Sequence, residues 1–167
     1  RKRALCDDDM GKVFARLPRY SAVTPAMRRA QELFILMFLL RGLPFVDLAY
    51  LRKSDLRDNV ITYRRRKTGR PLSVTLTPEA MLLLKRQMDV DSSSPYLFPL
   101  LKSSEGTKEA YHEYQLALRN FNRQLLLLGE VLGLNDKLSS YTARHTWATT
   151  AYYCEVHPGI ISEAMGH

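Results

Sequence analysis

The 167 residues fit one domain long enough to bury a real core, and an apolar fraction of 46% sets disorder aside. No apolar run approaches the roughly 18 residues of a membrane span, the longest being "LFILMFLL" at 33–40. A net charge of +8 favours a polyanionic partner, most commonly nucleic acid, while two distant cysteines, Cys6 and Cys154, give no disulfide framework and suit a reducing compartment.

The opening "RKRALCDDD" is basic but lacks the apolar core of a signal peptide. With no initial Met and a stop at "EAMGH", the sequence is expected to be a piece of a longer protein. Asp7 to Asp9 mark a helix start, because acids suit the positive end of the helix dipole. "TPAMRRAQELFILMFLL" opens with Thr24 as N-cap and Pro25 in the first turn, and its near-continuous apolarity predicts a central helix. Gly42 and Pro44 in "RGLPF" break it, and "VDLAYL" resumes as a short helix.

"NVITYRRRKTGRPLSVTL" (59–76) predicts a β-hairpin: Val60, Thr62 and Arg64 alternate with Ile61, Tyr63 and Arg65, "KTGR" supplies the turn, and Leu72, Val74 and Leu76 alternate on the return. A second Thr-Pro start opens "TPEAMLLLKRQM". A loop over 89–107 is anchored by a buried "YLF", and a long amphipathic helix over 108–134 ends near Gly133. Ser139 or Ser140 is expected to cap the helix of "SSYTARHTWATTAYY", and "HPGIISEAMGH" gives a last short helix.

Arg64, Arg65, Arg66, Lys67 and Arg70 crowd the hairpin tip with no acid among them. Such a ribbon can approach a phosphate backbone, with Lys67 at the turn reaching into a groove. The bland alternative is a self-repelling tip that keeps an edge strand from aggregating. Arg41 ends the core helix, where a cation gains ~0.3–1 kcal/mol from the dipole alone. Asp47, six residues on, can hold an arginine by a bidentate pair. Arg144 and His145 side by side are either a partly exposed charged face or a place to hold a phosphate. Cys154, His157 and His167 match no compact zinc spacing, so no metal is expected.

In order, "LAYLRKSDL" after the helix break, "ITYRRRKTGRPLSVTL", "YTARHTWATTAYY" and "ISEAMGH" resemble the sequence boxes of tyrosine site-specific recombinases. The resemblance covers roughly residues 5–167 and looks closest to integrases of Bacteroides-type mobile elements, where "RGLPFVDLAYL" and "SYTARHTWAT" are at home. It implies that residues 1–167 form the catalytic domain, mainly α with a small antiparallel β-hairpin. It also implies an integration and excision enzyme, DNA-associated in the bacterial cytoplasm, acting on double-stranded DNA as a tetramer on paired sites. A tyrosine hydroxyl would attack a phosphodiester to leave a 3′-phosphotyrosine and a free 5′-hydroxyl. The covalent link conserves the bond energy, so no cofactor is expected.

Residue by residue, the resemblance makes Arg144 the second family arginine and Lys67 the hairpin lysine that protonates the departing 5′-oxygen. His167, after Gly166, would hydrogen-bond a phosphate oxygen. The first arginine usually stands in a "GLRxxEL" box, but alignment puts Pro44 there, with Asp47 at the acidic position. Arg41, one helical turn earlier, is the substitute, and Arg65 stands in reserve. Tyr141 occupies the usual histidine position of His-x-x-Arg; a phenol with a pKa near 10 would position phosphate rather than act as base. His145 projects about 100° around the helix from Arg144 and would brace it, a supporting role shared with Asp47. Arg64, Arg65, Arg66 and Arg70 are expected on DNA phosphates.

The family's nucleophilic tyrosine follows the Gly-His box, whereas Tyr152 and Tyr153 precede it. The chain is therefore expected to lack the nucleophile segment and an N-terminal core-binding domain, and to bind DNA without forming an adduct. Two alternatives stand beside this reading. One is a DNA-binding regulator or architectural protein without catalysis. The other is an RNA-binding protein presenting sheet aromatics such as Tyr63.

Overall fold

The computed structural model describes residues 4–17, 22–153 and 158–166. Helix α1 (Asp7–Phe14) begins at the acidic run as expected. Asp9 does more than face the dipole, however. It is fully buried, and its carboxylate accepts the backbone N–H groups of Asn135 (3.1 Å) and Asp136 (3.1 Å). A charge-assisted pair of bonds thus ties α1 to a loop more than a hundred residues away.

Helix α2 (Pro25–Leu39) is the axis of the domain. Thr24 Oγ1 accepts the Met27 N–H at 3.2 Å, and Leu33, Phe34, Leu36 and Met37 are buried. Its two buried polar residues are satisfied: Gln31 Nε2 donates to the Val13 carbonyl at 2.8 Å, and Glu32 receives Gln87 and Arg86, each at 2.8 Å. The break after α2 is made by Arg41 and Gly42, both left-handed at φ 61° and 69°. Leu43 N–H turns back to the Met37 carbonyl at 3.0 Å, closing a helix end that would otherwise expose acceptors. Helix α3 (Phe45–Tyr50) follows, with Phe45 stacked on Phe121 at 4.6 Å.

Three antiparallel strands then run in the order β1 (Leu56–Arg57), β2 (Val60–Arg64), β3 (Pro71–Thr75). The expected hairpin is β2–β3, with Ile61 opposite Val74 and Arg64 opposite Pro71. Strand β1 extends it beyond what the sequence pattern predicts. Its two-residue turn, Asp58-Asn59, is left-handed at both positions, a conformation these short polar residues tolerate.

Helix α4 (Pro78–Gln87) is capped by Thr77, and Tyr96, Leu97 and Phe98 are buried in the loop beyond it, as expected. Helix α5 (Lys108–Leu132) ends at left-handed Gly133. Helices α4, α5 and α6 (Thr142–Tyr153) all pack against α2. The serines do not cap α6 as expected. The helix starts at Thr142, whose N–H donates to the Ser139 carbonyl and whose hydroxyl accepts the Ser139 N–H, so they form the turn before it. Helix α7 (Pro158–Ala164) packs against α6. Among the described residues no helix is long and apolar enough to cross a membrane.

Candidate active site

Arg144 lies in the first turn of α6, whose Ala143 and Thr146 are buried and whose Thr146 hydroxyl accepts the Leu5 N–H at 3.0 Å. That packing fixes the helix on which the guanidinium is carried. Arg144 Nη1 donates to the Gly42 carbonyl at 3.0 Å, and Nη2 to the Met165 carbonyl at 3.1 Å. Neither partner is an anion, so both orient the fork without neutralising it. Burial, and then the nearby Arg65 cation, push the Arg144 pKa down to about 10, which leaves it charged at neutral pH.

Arg65 leaves β2 on the inward face it shares with Ile61 and Tyr63 and is only 5% exposed. Its Nε donates to Asp47 Oδ2 at 2.9 Å, and its Nη1 to the same Met165 carbonyl at 2.6 Å. The phosphate-binding role expected of Arg65 is therefore corrected: its charge is paired and buried, so it cannot reach a duplex outside. Asp47 does hold an arginine, but not through a symmetric fork. Its second oxygen, Oδ1, accepts the Arg66 backbone N–H at 3.0 Å. Burial raises the Asp47 pKa, against the pull of the Arg66 N–H and the Arg65 cation. Tyr63 is half-buried, and burial and then the Asp47 charge push its phenol up. It packs against the core and is not the exposed platform that RNA stacking would need.

At the hairpin tip Thr68 Oγ1 donates to the Gly166 carbonyl at 2.9 Å. Lys67 and Arg70 are exposed, and Arg64 Nη1 folds back on the Gly69 carbonyl at 3.1 Å. Arg66 lies 3.6 Å over the Tyr50 ring and 3.7 Å from Glu105, which also meets Arg52 at 3.5 Å. The tip is acid-free in sequence, yet Asp47 and Glu105 meet it in space. Arg41 is half-buried and lines, with Arg70, Trp147 and Glu163, a groove of about 550 Å³ between β3, α6 and α7. Tyr141, one residue before α6, is 64% exposed, and His145 is exposed. His167, Cys154 and His157 lie outside the described residues.

The structure thus brings together Arg144, Arg65 and Asp47 around the Met165 carbonyl just after α7, with the Lys67 turn attached through Thr68. Sequence reasoning missed the carbonyls of Gly42 and Met165 and the Thr68 hydroxyl. The one available signal was the β period, which puts Arg65 on the buried face of β2.

Among solved structures, XerA recombinase matches with a TM-score of 0.67 at 19% identity, over 99% of this chain and 56% of that one. The catalytic core of lambda integrase matches at 0.60 and 17%, over 99% and 92%. The Tn1549 transposon integrase, solved in complex with transposon right end DNA, matches at 0.59 and 14%, over 98% and 57%. This chain spans little more than half the XerA and Tn1549 chains, and the likeness to all three lies in the fold, that of a tyrosine recombinase catalytic domain. No curated protein matches the chain significantly. The sequence profile of the phage integrase family matches residues 17–167, which takes in both guanidiniums, Asp47 and the hairpin: the chain belongs to the phage integrase family.

Proposed function

We propose that this chain is the catalytic domain of a site-specific recombinase that cuts and rejoins duplex DNA, with its nearest kin among integrases of Bacteroides-type mobile elements. The observation that carries this reading is the meeting of four sequence segments around Arg144 and the Met165 carbonyl that it holds. Arg144 touches the helix break at Gly42 and the α7 end at Met165, and Arg65 brings the hairpin to that same carbonyl. The DNA-bound Tn1549 integrase supports a duplex partner.

In this reading Arg144 and Arg41 stabilise the nonbridging oxygens of the scissile phosphate, with His167 and Tyr141 as hydrogen-bond donors. A tyrosine hydroxyl gives up its proton to solvent water as its oxygen bonds to phosphorus and the bond from phosphorus to O5′ breaks. The electron pair goes to O5′, which takes a proton from Lys67. Arg64, Arg66 and Arg70 hold flanking phosphates, and Asp47 and His145 support the two elements that carry the site. The nucleophilic tyrosine lies beyond His167, a separate core-binding domain clamps the other face of DNA, and the complete protein works as a tetramer on paired sites in the bacterial cytoplasm.

The test is covalent capture. The complete protein is mixed with a pool of nicked duplexes of randomised sequence, and protein–DNA adducts are separated on denaturing gels. The expected result is an adduct that Arg144→Ala abolishes, while the 167-residue chain alone gives none. Binding without any adduct would favour a non-catalytic regulator, and an adduct on the short chain would overturn the placement of the nucleophile.

A further inference from the structure

We propose that Arg65 and Thr68 are positioning residues that set where the Lys67 ammonium stands relative to the phosphate held by Arg144. The proposal rests on the reading of Lys67 as general acid. The two residues flank Lys67, two positions before and one after, and both bind backbone carbonyls just after α7. Arg65 Nη1 donates to the Met165 carbonyl at 2.6 Å and approaches the Gly166 carbonyl at 3.5 Å. Thr68 Oγ1 donates to the Gly166 carbonyl at 2.9 Å and accepts the Arg70 N–H at 3.3 Å.

The turn itself is closed by Gly69 N–H to the Arg65 carbonyl at 2.7 Å and Arg65 N–H to the Arg70 carbonyl at 2.9 Å. Those bonds shape the loop but do not aim it. Exposed Arg64, Arg66, Lys67 and Arg70 repel one another, and a free ribbon tip would splay. Two side-chain bonds to the body of the domain oppose that. The one from Arg65 also reaches the Met165 carbonyl that Arg144 holds at 3.1 Å, so hairpin and helix share one reference atom. Gly166 makes room for this approach: at φ 74° it is left-handed, and a β-carbon there would lie 2.8 Å from Arg65 Cγ. Asp47 completes the device by neutralising Arg65, which lets a guanidinium serve as a buried strut.

The experiment uses the complete protein and a nicked duplex recovered by covalent capture with the wild type. The duplex is made with either oxygen or sulphur at the bridging 5′ position. A thiolate, with a thiol pKa near 8.5, leaves without a proton, so sulphur removes the need for the general acid. Thr68→Val should slow cleavage of the oxygen substrate about 10-fold and Arg65→Lys about 100-fold, the scale of a misplacement near 1 Å. On the sulphur substrate both should come within about threefold of wild type.

Lys67→Ala is the internal control. If sulphur fails to restore Lys67→Ala, or the wild type gives no adduct, the reading of the site falls and takes the proposal with it. If sulphur restores Lys67→Ala but leaves Thr68→Val and Arg65→Lys slow, or if both cleave the oxygen substrate at the wild-type rate, the positioning proposal alone falls. Thr68→Val leaves the Asp47–Arg65 pair intact, so it decides the matter should Arg65→Lys not fold.

Discussion

Gly42 and Arg144 touch backbone to backbone: a β-carbon on Gly42 would lie 2.8 Å from the Arg144 Cα, and the Gly42 carbonyl receives Arg144 Nη1 at 3.0 Å. Two costs therefore fall on Gly42→Ala. The residue is left-handed, at φ 69°, and its new methyl would meet backbone that cannot swing aside. Left-handed strain and overpacking together should lower the unfolding free energy by about 2–4 kcal/mol. A reduced urea midpoint with an unchanged slope checks this. A midpoint equal to wild type would mean that α6 can move away from the helix break.

Cations at the hairpin tip should differ in what they give to DNA binding, because the fold has already employed some of them. Arg64, Lys67 and Arg70 are exposed, whereas Arg66 is drawn over Tyr50 toward Glu105 and Arg65 is buried on Asp47. Removing a side chain that neutralises one phosphate should flatten the slope of log affinity against log salt by about 0.9. Lys67→Ala and Arg70→Ala should each show that change in fluorescence anisotropy on duplex DNA. Glu105→Gln should steepen the slope, since it removes the acid that competes with phosphate for Arg66 and Arg52. Equal slopes for all these variants would place the tip away from DNA.

Glu113 offers a pH handle remote from that chemistry. Its Oε1 accepts the Lys102 and Ser103 N–H groups, each at 2.9 Å, and its Oε2 the Ser103 hydroxyl at 2.9 Å. The Ser103 and then the Lys102 N–H hold its pKa below the ordinary 4.5. The unfolded chain therefore binds the proton more tightly than the native one. Its stabilising contribution is full above pH 4.5 and is lost as pH falls through the depressed native value. Glu113→Gln should melt lower at pH 7 and converge with wild type on acidification. Parallel melting curves across that range would show that the carboxylate charge is not what holds the loop.

Local physics made much of the fold readable. Thr24-Pro25 and Thr77-Pro78 carry their own capping chemistry, Gly133 its left-handed φ, and the β period of the hairpin its buried face. What escaped depends on partners distant in sequence. Asp9 looks like an ordinary first-turn acid until Asn135 and Asp136 fold onto it. The carbonyls of Gly42 and Met165 could not be read at all, because a backbone oxygen is the same in every residue and only tertiary placement singles one out. Arg65 shows both sides of this. Its strand position pointed inward, but the acid that makes burial tolerable lies eighteen residues earlier, on another element.

The Asp47–Arg65 pair can be asked whether it serves stability or the site. Asp47 is 3% exposed and Arg65 5%, so deleting either partner strands the other's charge in a low-dielectric interior. Asp47→Leu or Arg65→Met alone should each cost about 3–5 kcal/mol. In the double variant no charge is stranded, but the Arg66 N–H and Met165 carbonyl lose a partner at about 1–3 kcal/mol each. The double variant should therefore cost less than the sum of the singles, by about 2 kcal/mol or more in a urea-denaturation cycle. Acid adds an independent check. With the Asp47 pKa raised by burial, the native state binds its proton more tightly than the unfolded chain, so this group removes stability as pH rises from 3.8 through the raised value. Asp47→Asn should delete that downward slope. A double variant that matches wild type in stability yet cuts DNA far more slowly would mean that the ion pair is kept for the position of Met165 and the hairpin. Additive single-variant costs would mean that the two charges do not sense each other.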